Sequence, residues 1–418
     1  MDFWGEIVGQ AEAVRTLQRA AAPDTLPAHA WLITGPPGSG RSNLAYRFAA
    51  ALIARDASER ERVYAQVQAR THPDLGVLTT EAAIIKRDAA REAVASSYYA
   101  PAEGRFRVIV IEDADRMTEQ TSNVLLKAIE EPPERTVWLL CAPSEADLLP
   151  TIRSRARSLR LVTPQPREVA DLLVARDGVE PAAAERAARL AQSHIGMARR
   201  LATDPASLER RTRTIELAAG IETLGDAMHA AAALLKVAEA DAAALTEQTD
   251  ERERHEAMRN LGIAPGGTIP PQIRAQFRAL EEDQKRRAKR SLVDGIDRIL
   301  TDLLSFTRDV LLVALCPPQT SAGESDAEPG MAGVELINRE QSGRIAELAE
   351  RWGPVRADAV VRAIERARER LFRAVTPGLV LEAMLASLIV EPEHSGQEPS
   401  VTRPSSGVPA TGYARRGI

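Results

Sequence analysis

Residues 35–42 read GPPGSGRS, and this octapeptide constrains the fold more than any other part of the chain. It follows an apolar run, Ala30-Trp31-Leu32-Ile33-Thr34, that reads as a buried strand, and it opens a helical pattern running from Arg41 to Ala54. Strand, glycine-rich loop and helix in this order are the context in which the phosphate-loop template G-x-x-x-x-G-K-[ST] is credible. Gly35, Gly38 and Gly40, with Ser39 between the last two, let the backbone approach phosphates closely, and the helix N-terminus favours anions. Ser42 is placed to hold Mg²⁺ through its hydroxyl. Arg41 is the departure, because it stands where the template has lysine. A guanidinium is planar and wider than an ammonium and cannot fill the same pocket in the same way. Binding of ATP through the backbone amides, with Mg²⁺ at Ser42, stays open, whereas efficient γ-phosphate transfer is not expected.

The pattern around the loop extends the argument to a domain. Phe106 to Ile111 and Thr136 to Ala142 read as further buried strands, and Ser122 to Glu130 as a helix stopped by Pro132-Pro133. Short apolar runs alternating with helices predict βαβ units and a parallel sheet covered on both faces over residues 1–163. Residues 164–204 read as helical, with turns at Asp177-Gly178 and at Ser193 to Gly196. From 206 to 391 helix follows helix, at 223–249, 270–316 and 334–391, interrupted by a turn at Ala264 to Gly267 and a polar loop at 317–330. Residues 393–418, rich in Ser, Pro, Gly and Thr, read as a disordered tail.

Composition narrows the class. The 54 Lys and Arg are outnumbered by 59 Asp and Glu, for a net charge of −5, so nucleic acid can be met only through a local patch or a partner. The basic run Lys285-Arg286-Arg287 with Lys289 and Arg290 reads as a solvated helix face. Cys141 and Cys316 are each isolated, which leaves no disulfide framework and no thiolate zinc cluster. The start, MDFWGEIVGQ, has no basic-then-apolar leader, and no apolar run approaches a membrane span, so a cytoplasmic protein is expected.

Two further constellations bear on chemistry. Residues 108–115 read VIVIEDAD, a strand ending in two acids, but Glu112 precedes Asp113. A hydrolytic site needs an Asp near the metal and then a Glu orienting water; here each carboxylate is displaced by a methylene, and displacement of about 1 Å can cost about a hundredfold in rate. The same acids can equally cap the strand and the next helix. Residues 152–157 read IRSRAR, placing Arg155 where it could serve a neighbouring subunit's transition state or remain a surface charge.

GPPGSGRS, VIVIEDADRM, SNVLLKAIEEPP and TIRSRA, in this order, with the opening FWGEIVGQAEAVRTLQRA and HPDL at 72–75, resemble the AAA+ subunits of the bacterial DNA polymerase III clamp loader. The likeness is close to about residue 204 and beyond it rests on an expected helical collar. It implies a P-loop AAA+ domain, a small helical lid domain and an all-α collar domain. It implies that Arg155, in the place of the family's Ser-Arg-Cys arginine, is a finger acting in trans, and that Arg199 in Gly196-Met197-Ala198-Arg199 is the lid arginine that senses nucleotide; Arg199 and Arg200 at a helix start can also be a solvated face. The family's polar residue at the end of the fourth strand is missing from Leu140-Cys141-Ala142-Pro143. Its four-cysteine zinc module has no counterpart in Ala54 to Thr71, so no zinc is expected and a helix at 58–70 should pack without it. The implied partners are gamma/tau and delta subunits in a hetero-pentamer, with the beta sliding clamp and primed DNA met through the complex. Two functions compete: an accessory polymerase subunit that helps neighbours hydrolyse ATP, and an ATP-hydrolysing AAA+ motor.

Overall fold

The computed structural model describes residues 3–79, 84–260, 274–316, 335–372 and 375–389. The first part runs α1 (Ala11–Ala20), β1 (Ala30–Thr34), α2 (Arg41–Ile53), α3 (Arg60–Gln68), β2 (Leu75–Leu78), α4 (Arg87–Ser97), β3 (Arg107–Ile111), α5 (Glu119–Glu130), β4 (Thr136–Ala142), α6 (Pro150–Arg153) and β5 (Arg157–Arg160). All strand pairs are parallel, in the order β2-β3-β4-β1-β5.

The alternation of side chains along each strand builds a core on each face of this sheet. Trp31, Ile33, Val108, Val110, Leu139 and Cys141 pack with Phe48, Leu52 and Leu17 on one side. Leu32, Ile109, Ile111, Trp138 and Leu140 pack with Leu125, Ile129 and Ile152 on the other. Burial on both faces is why β1, β3 and β4 were legible as continuous apolar runs. The edge strands were not. β2 (LGVL) is short and β5 (RSLR) is largely exposed and charged, which is how sheet edges avoid further pairing.

Next come α7 (Pro166–Asp177), α8 (Pro181–Leu190) and α9 (Ile195–Thr203), sharing a core of Val169, Leu173, Ala184, Ala188, Ala198 and Leu201. Gly178 ends α7 at φ +67°. The turn expected at Ser193 to Gly196 ends earlier than read: His194 caps α9, and Ile195 and Gly196 are already helical. Arg199 and Arg200 therefore lie in mid-helix, not at a helix start.

The remainder is α10 (Pro205–Ala219), α11 (Leu224–Asn260), α12 (Arg274–Leu315), α13 (Ser342–Phe372) and α14 (Pro377–Ala386). Alanines 227, 230, 231 and 238 of α11 let it approach Ile296, Leu300 and Leu303 of α12, with Leu381 and Leu385 of α14 closing the bundle. The run expected as helix over 334–391 is broken. Gly353 adopts φ +63° ahead of Pro354, and α14 starts anew at Pro377, because proline removes a helix donor and clashes with the preceding turn. The turn expected at 264–267, the loop at 317–330 and the tail from 393 lie outside the described residues. Among the described residues no helix is long and apolar enough to cross a membrane.

Candidate nucleotide-type site and its rim

The phosphate loop bridges β1 and α2 as its sequence requires. Gly38 and Gly40 take φ +80° and +86°, values that carry no penalty only for glycine. Gly35 N–H donates to the Pro143 carbonyl at 3.2 Å, and Ser39 N–H to the Pro36 carbonyl at 3.1 Å. Ser42 stands in the first turn of α2, partly exposed. Arg41, however, donates Nη1 to the Gly35 carbonyl, so its guanidinium is bound to the loop's own backbone.

The loop is also covered. A Cβ added to Gly38 would fall 2.3 Å from His194 Cγ, and Ile195 N–H faces the Gly38 carbonyl at 3.4 Å. His194 Nδ1 accepts from Met197 N–H at 3.2 Å as the cap of α9. Burial holds the imidazole below its usual pKa, and nearby Arg41 acts in the same direction.

The acids at the end of β3 are committed as well. Glu112 accepts from the Tyr46 hydroxyl and from Arg70 Nη2 at 2.8 Å. Burial, with the Glu112 bond adding to it, pushes the Tyr46 phenol upward, so it stays a donor. Asp113 sits at φ +51° between Arg116 Nε at 3.6 Å and Arg290 Nη2 of α12 at 3.5 Å. Asp113 opens the 3₁₀ turn Ala114–Arg116 without any side-chain cap bond. Burial, followed by the Asp113 charge, pushes the Asp115 carboxyl up. At the end of β4, Cys141 is a buried core residue whose thiol is pushed up to about 12 by burial. Ser144 there accepts from Ala146 N–H at 3.2 Å and caps its own short turn.

Arg199 is ion-paired through Nε to Asp177 at 3.0 Å. Arg176 and then Arg199 hold that carboxyl below its ordinary value despite burial. The basic run of α12 is also more engaged than a solvated face. Arg287 pairs with Asp250 at 2.6 Å and Glu253 at 2.9 Å, and Arg290 reaches Asp113. The energy of these pairs depends on partners about 35 to 177 positions away, which spacing along one helix cannot reveal.

Several contributing residues carried no local signal. Gln10 donates Nε2 to the Val162 carbonyl at 2.7 Å and accepts from Val162 N–H at 3.1 Å, pinning the start of α1 to the chain leaving β5. Helix α3 buries Val63, Tyr64 and Val67. The Arg47 guanidinium lies 4.3 Å from the Tyr64 ring centroid and donates to Glu6 and the Phe3 carbonyl. His72, in the loop before β2, is buried, and its Nδ1 accepts from Asp74 N–H at 3.1 Å. Among the described residues no group of His, Cys, Asp and Glu is arranged to hold a metal ion.

Arg155 lies elsewhere, just after α6 at the rim of the sheet. Its Nη2 meets Glu130 Oε1 at 2.5 Å, and Nη1 donates to the Thr151 carbonyl at 2.8 Å and to Ser154 Oγ at 3.2 Å. Both members of the ion pair are partly exposed, 36% and 40%.

With His194 against the loop and Arg41, Glu112 and Asp113 all in internal contacts, the residues as arranged do not fit a Mg²⁺-nucleotide. Sheet order, phosphate loop and acid-tipped β3 define an AAA+ P-loop protein. The family model "DNA polymerase III, delta subunit" matches residues 9–165. DNA polymerase III subunit delta' of Pseudomonas aeruginosa is 35% identical over 181 residues, covering 38% of this chain and 55% of that protein. Subunit gamma/tau of Mycobacterium bovis is 25% identical over 396 residues, covering 93% of this chain and 61% of the relative. A gamma subunit-related protein of Thermotoga maritima covers 91% of this chain and 98% of its own, at 17% identity and a TM-score of 0.43. Over residues 9–165 the chain is similar to subunits of DNA polymerase III, and it spans between about half and two thirds of the length of these curated relatives.

Proposed function

We propose that this chain is the delta-prime-type subunit of a DNA polymerase III clamp loader, a stator that completes the ring and hydrolyses little or no ATP itself. Residues 1–163 form its AAA+ module, 164–204 its lid and 206–391 its collar, through which it joins gamma/tau and delta subunits in a hetero-pentamer. Arg155 reaches the γ-phosphate held by a neighbouring ATPase subunit and stabilises transition-state charge there. The assembled ring holds the beta sliding clamp, and primed DNA triggers hydrolysis and clamp release. Such a protein works in the cytoplasm, at the replication fork.

The observation that carries this reading is a division of labour among charged groups. Arg41, Glu112 and Asp113 each have an intramolecular partner around a covered loop, while Arg155, paired with Glu130, stands at a rim with a partly exposed guanidinium. The test is the primed-DNA-stimulated ATPase of a reconstituted loader. Arg155→Ala is expected to lower the rate at least about tenfold with assembly intact, a modest share of the ~10³–10⁵ attributed to a trans arginine. An unchanged rate would reduce Arg155 to a surface charge.

A motor of gamma/tau type is the second reading. The likeness to gamma/tau over 93% of this chain and the retained Gly35, Gly38, Gly40 and Ser42 favour it. ATP turnover by the isolated chain separates the two, since the stator gives none above background.

A further inference from the structure

We infer that Glu130 is the counter-ion that docks Arg155 in the unassembled chain and is exchanged for the neighbour's phosphate on assembly. This rests on the trans-arginine reading above. Glu130 is the last residue of α5 and Arg155 follows α6, so the two meet only because these helices end side by side at one rim. A guanidinium has five N–H donors and two edges that can grip an oxyanion with a pair of them. Both edges include Nη2, the atom held by Glu130, while Nη1 is shared between Thr151 and Ser154. A phosphate binding either edge must therefore take over a donor that the carboxylate holds.

The pair is built to be exchanged. It is partly solvated on both sides, where ion pairs are weak. The carboxylate stands at a helix C-terminus, whose partial negative charge disfavours it. A γ-phosphate brings more charge and more acceptor oxygens to the same donors. The Thr151 and Ser154 contacts involve only Arg155's own short segment. They can keep the side chain aimed while Nη2 changes partner. Glu130 thus sets how strongly the neighbour's nucleotide must compete for the finger.

The experiment is an ATP titration of the primed-DNA-stimulated ATPase in the reconstituted loader, with the full-length chain carrying Glu130→Gln. Glutamine keeps the shape and removes the charge at an exposed helix end. The apparent KM for ATP is expected to fall about two- to fivefold, the equivalent of a partly exposed ion pair, with kcat within about twofold of wild type. Glu130→Asp, which keeps the charge but shortens the reach, should fall between the two. In an Arg155→Ala background Glu130→Gln should have no effect on KM. An unchanged or raised KM, or the same shift without Arg155, would overturn the docking role while leaving the trans arginine standing. If Arg155→Ala alone leaves the rate unchanged, the trans arginine falls and the docking role with it.

Discussion

Two arginine–carboxylate pairs in this molecule have nearly the same chemistry and opposite surroundings. In the helical bundle, Arg211 is buried and donates to Asp302 at 2.9 Å, to Ser305 at 3.0 Å and to Asn338 at 2.8 Å, while Asn338 in turn donates to Asp309. At the rim of the sheet, Arg155 and Glu130 meet in partial contact with solvent. The first pair joins α10, α12 and the segment entering α13, and removing Arg211 strands the Asp302 carboxylate with most of its side chain out of water. The second loses little when broken, because water replaces either partner. One pair ties the helical bundle together; the other leaves a partly solvated guanidinium at the rim of the sheet. What separates the two pairs is burial.

The largest effect that would test this contrast is Arg211→Ala. It should cost about 3–5 kcal/mol in urea denaturation, as expected when half of a buried pair is removed. A loss below about 1 kcal/mol would erase the difference between the two regions. Next in size is Asp74, which is fully buried and accepts from the N–H groups of Ala102, Glu103 and Gly104. Burial works against its ionised form, but these three donors hold the carboxyl below its ordinary value of 3.8. Asp74→Asn should cost about 2–3 kcal/mol at neutral pH, in the range for hydrogen bonds to a charged group. Because the folded pKa is depressed, that stability is complete above the unfolded value and is lost as pH falls through the folded one. The gap between wild type and variant should therefore narrow below pH 3.8, and a pH-independent gap would show that the charge is irrelevant.

Smaller effects sharpen the picture of the covered loop. Gly38→Ala should cost about 1–2 kcal/mol from its left-handed backbone alone, and more through the His194 ring. Gly178→Ala supplies the control, since Gly178 has φ +67° and nothing within 4 Å of an added Cβ. Equal losses in the two variants would mean that His194 moves aside freely. The smallest expected change is for Arg290→Ala at Asp113, about 0–1 kcal/mol, because this pair is partly exposed and long. A loss above about 2 kcal/mol would make the contact between α12 and the acid turn a structural clasp comparable with the buried network.

How much could be read in advance depended on the range of the interaction involved. The phosphate loop and the central strands were legible because their signals are local. Glycine spacing fixes a loop, and runs such as Val108 to Ile111 report burial on both faces. Strands β2 and β5 were missed because edge strands carry little apolar signal, and the break at Gly353-Pro354 was passed over inside a strong helical pattern. Of the candidate site, GPPGSGRS, Glu112-Asp113 and Arg155 were found as residues, but not what they touch. Tyr46, Arg70 and His194 carried no motif, and Glu130 stood unremarked within SNVLLKAIEEPP; all four became visible only as partners.

By itself, the sequence determined the parallel α/β module, the identity of its loop and acids, and the departures at Arg41, Glu112 and Asp113 that argue against hydrolysis. Local backbone demands and hydrophobic periodicity are properties of neighbouring residues, so one chain read in order contains them. Only the tertiary structure decided that His194 covers Gly38, that Arg290 reaches Asp113 across 177 positions, and that Glu130 rather than open solvent faces Arg155. Electrostatic energy depends on separation and burial in space, and neither is a function of distance along the chain.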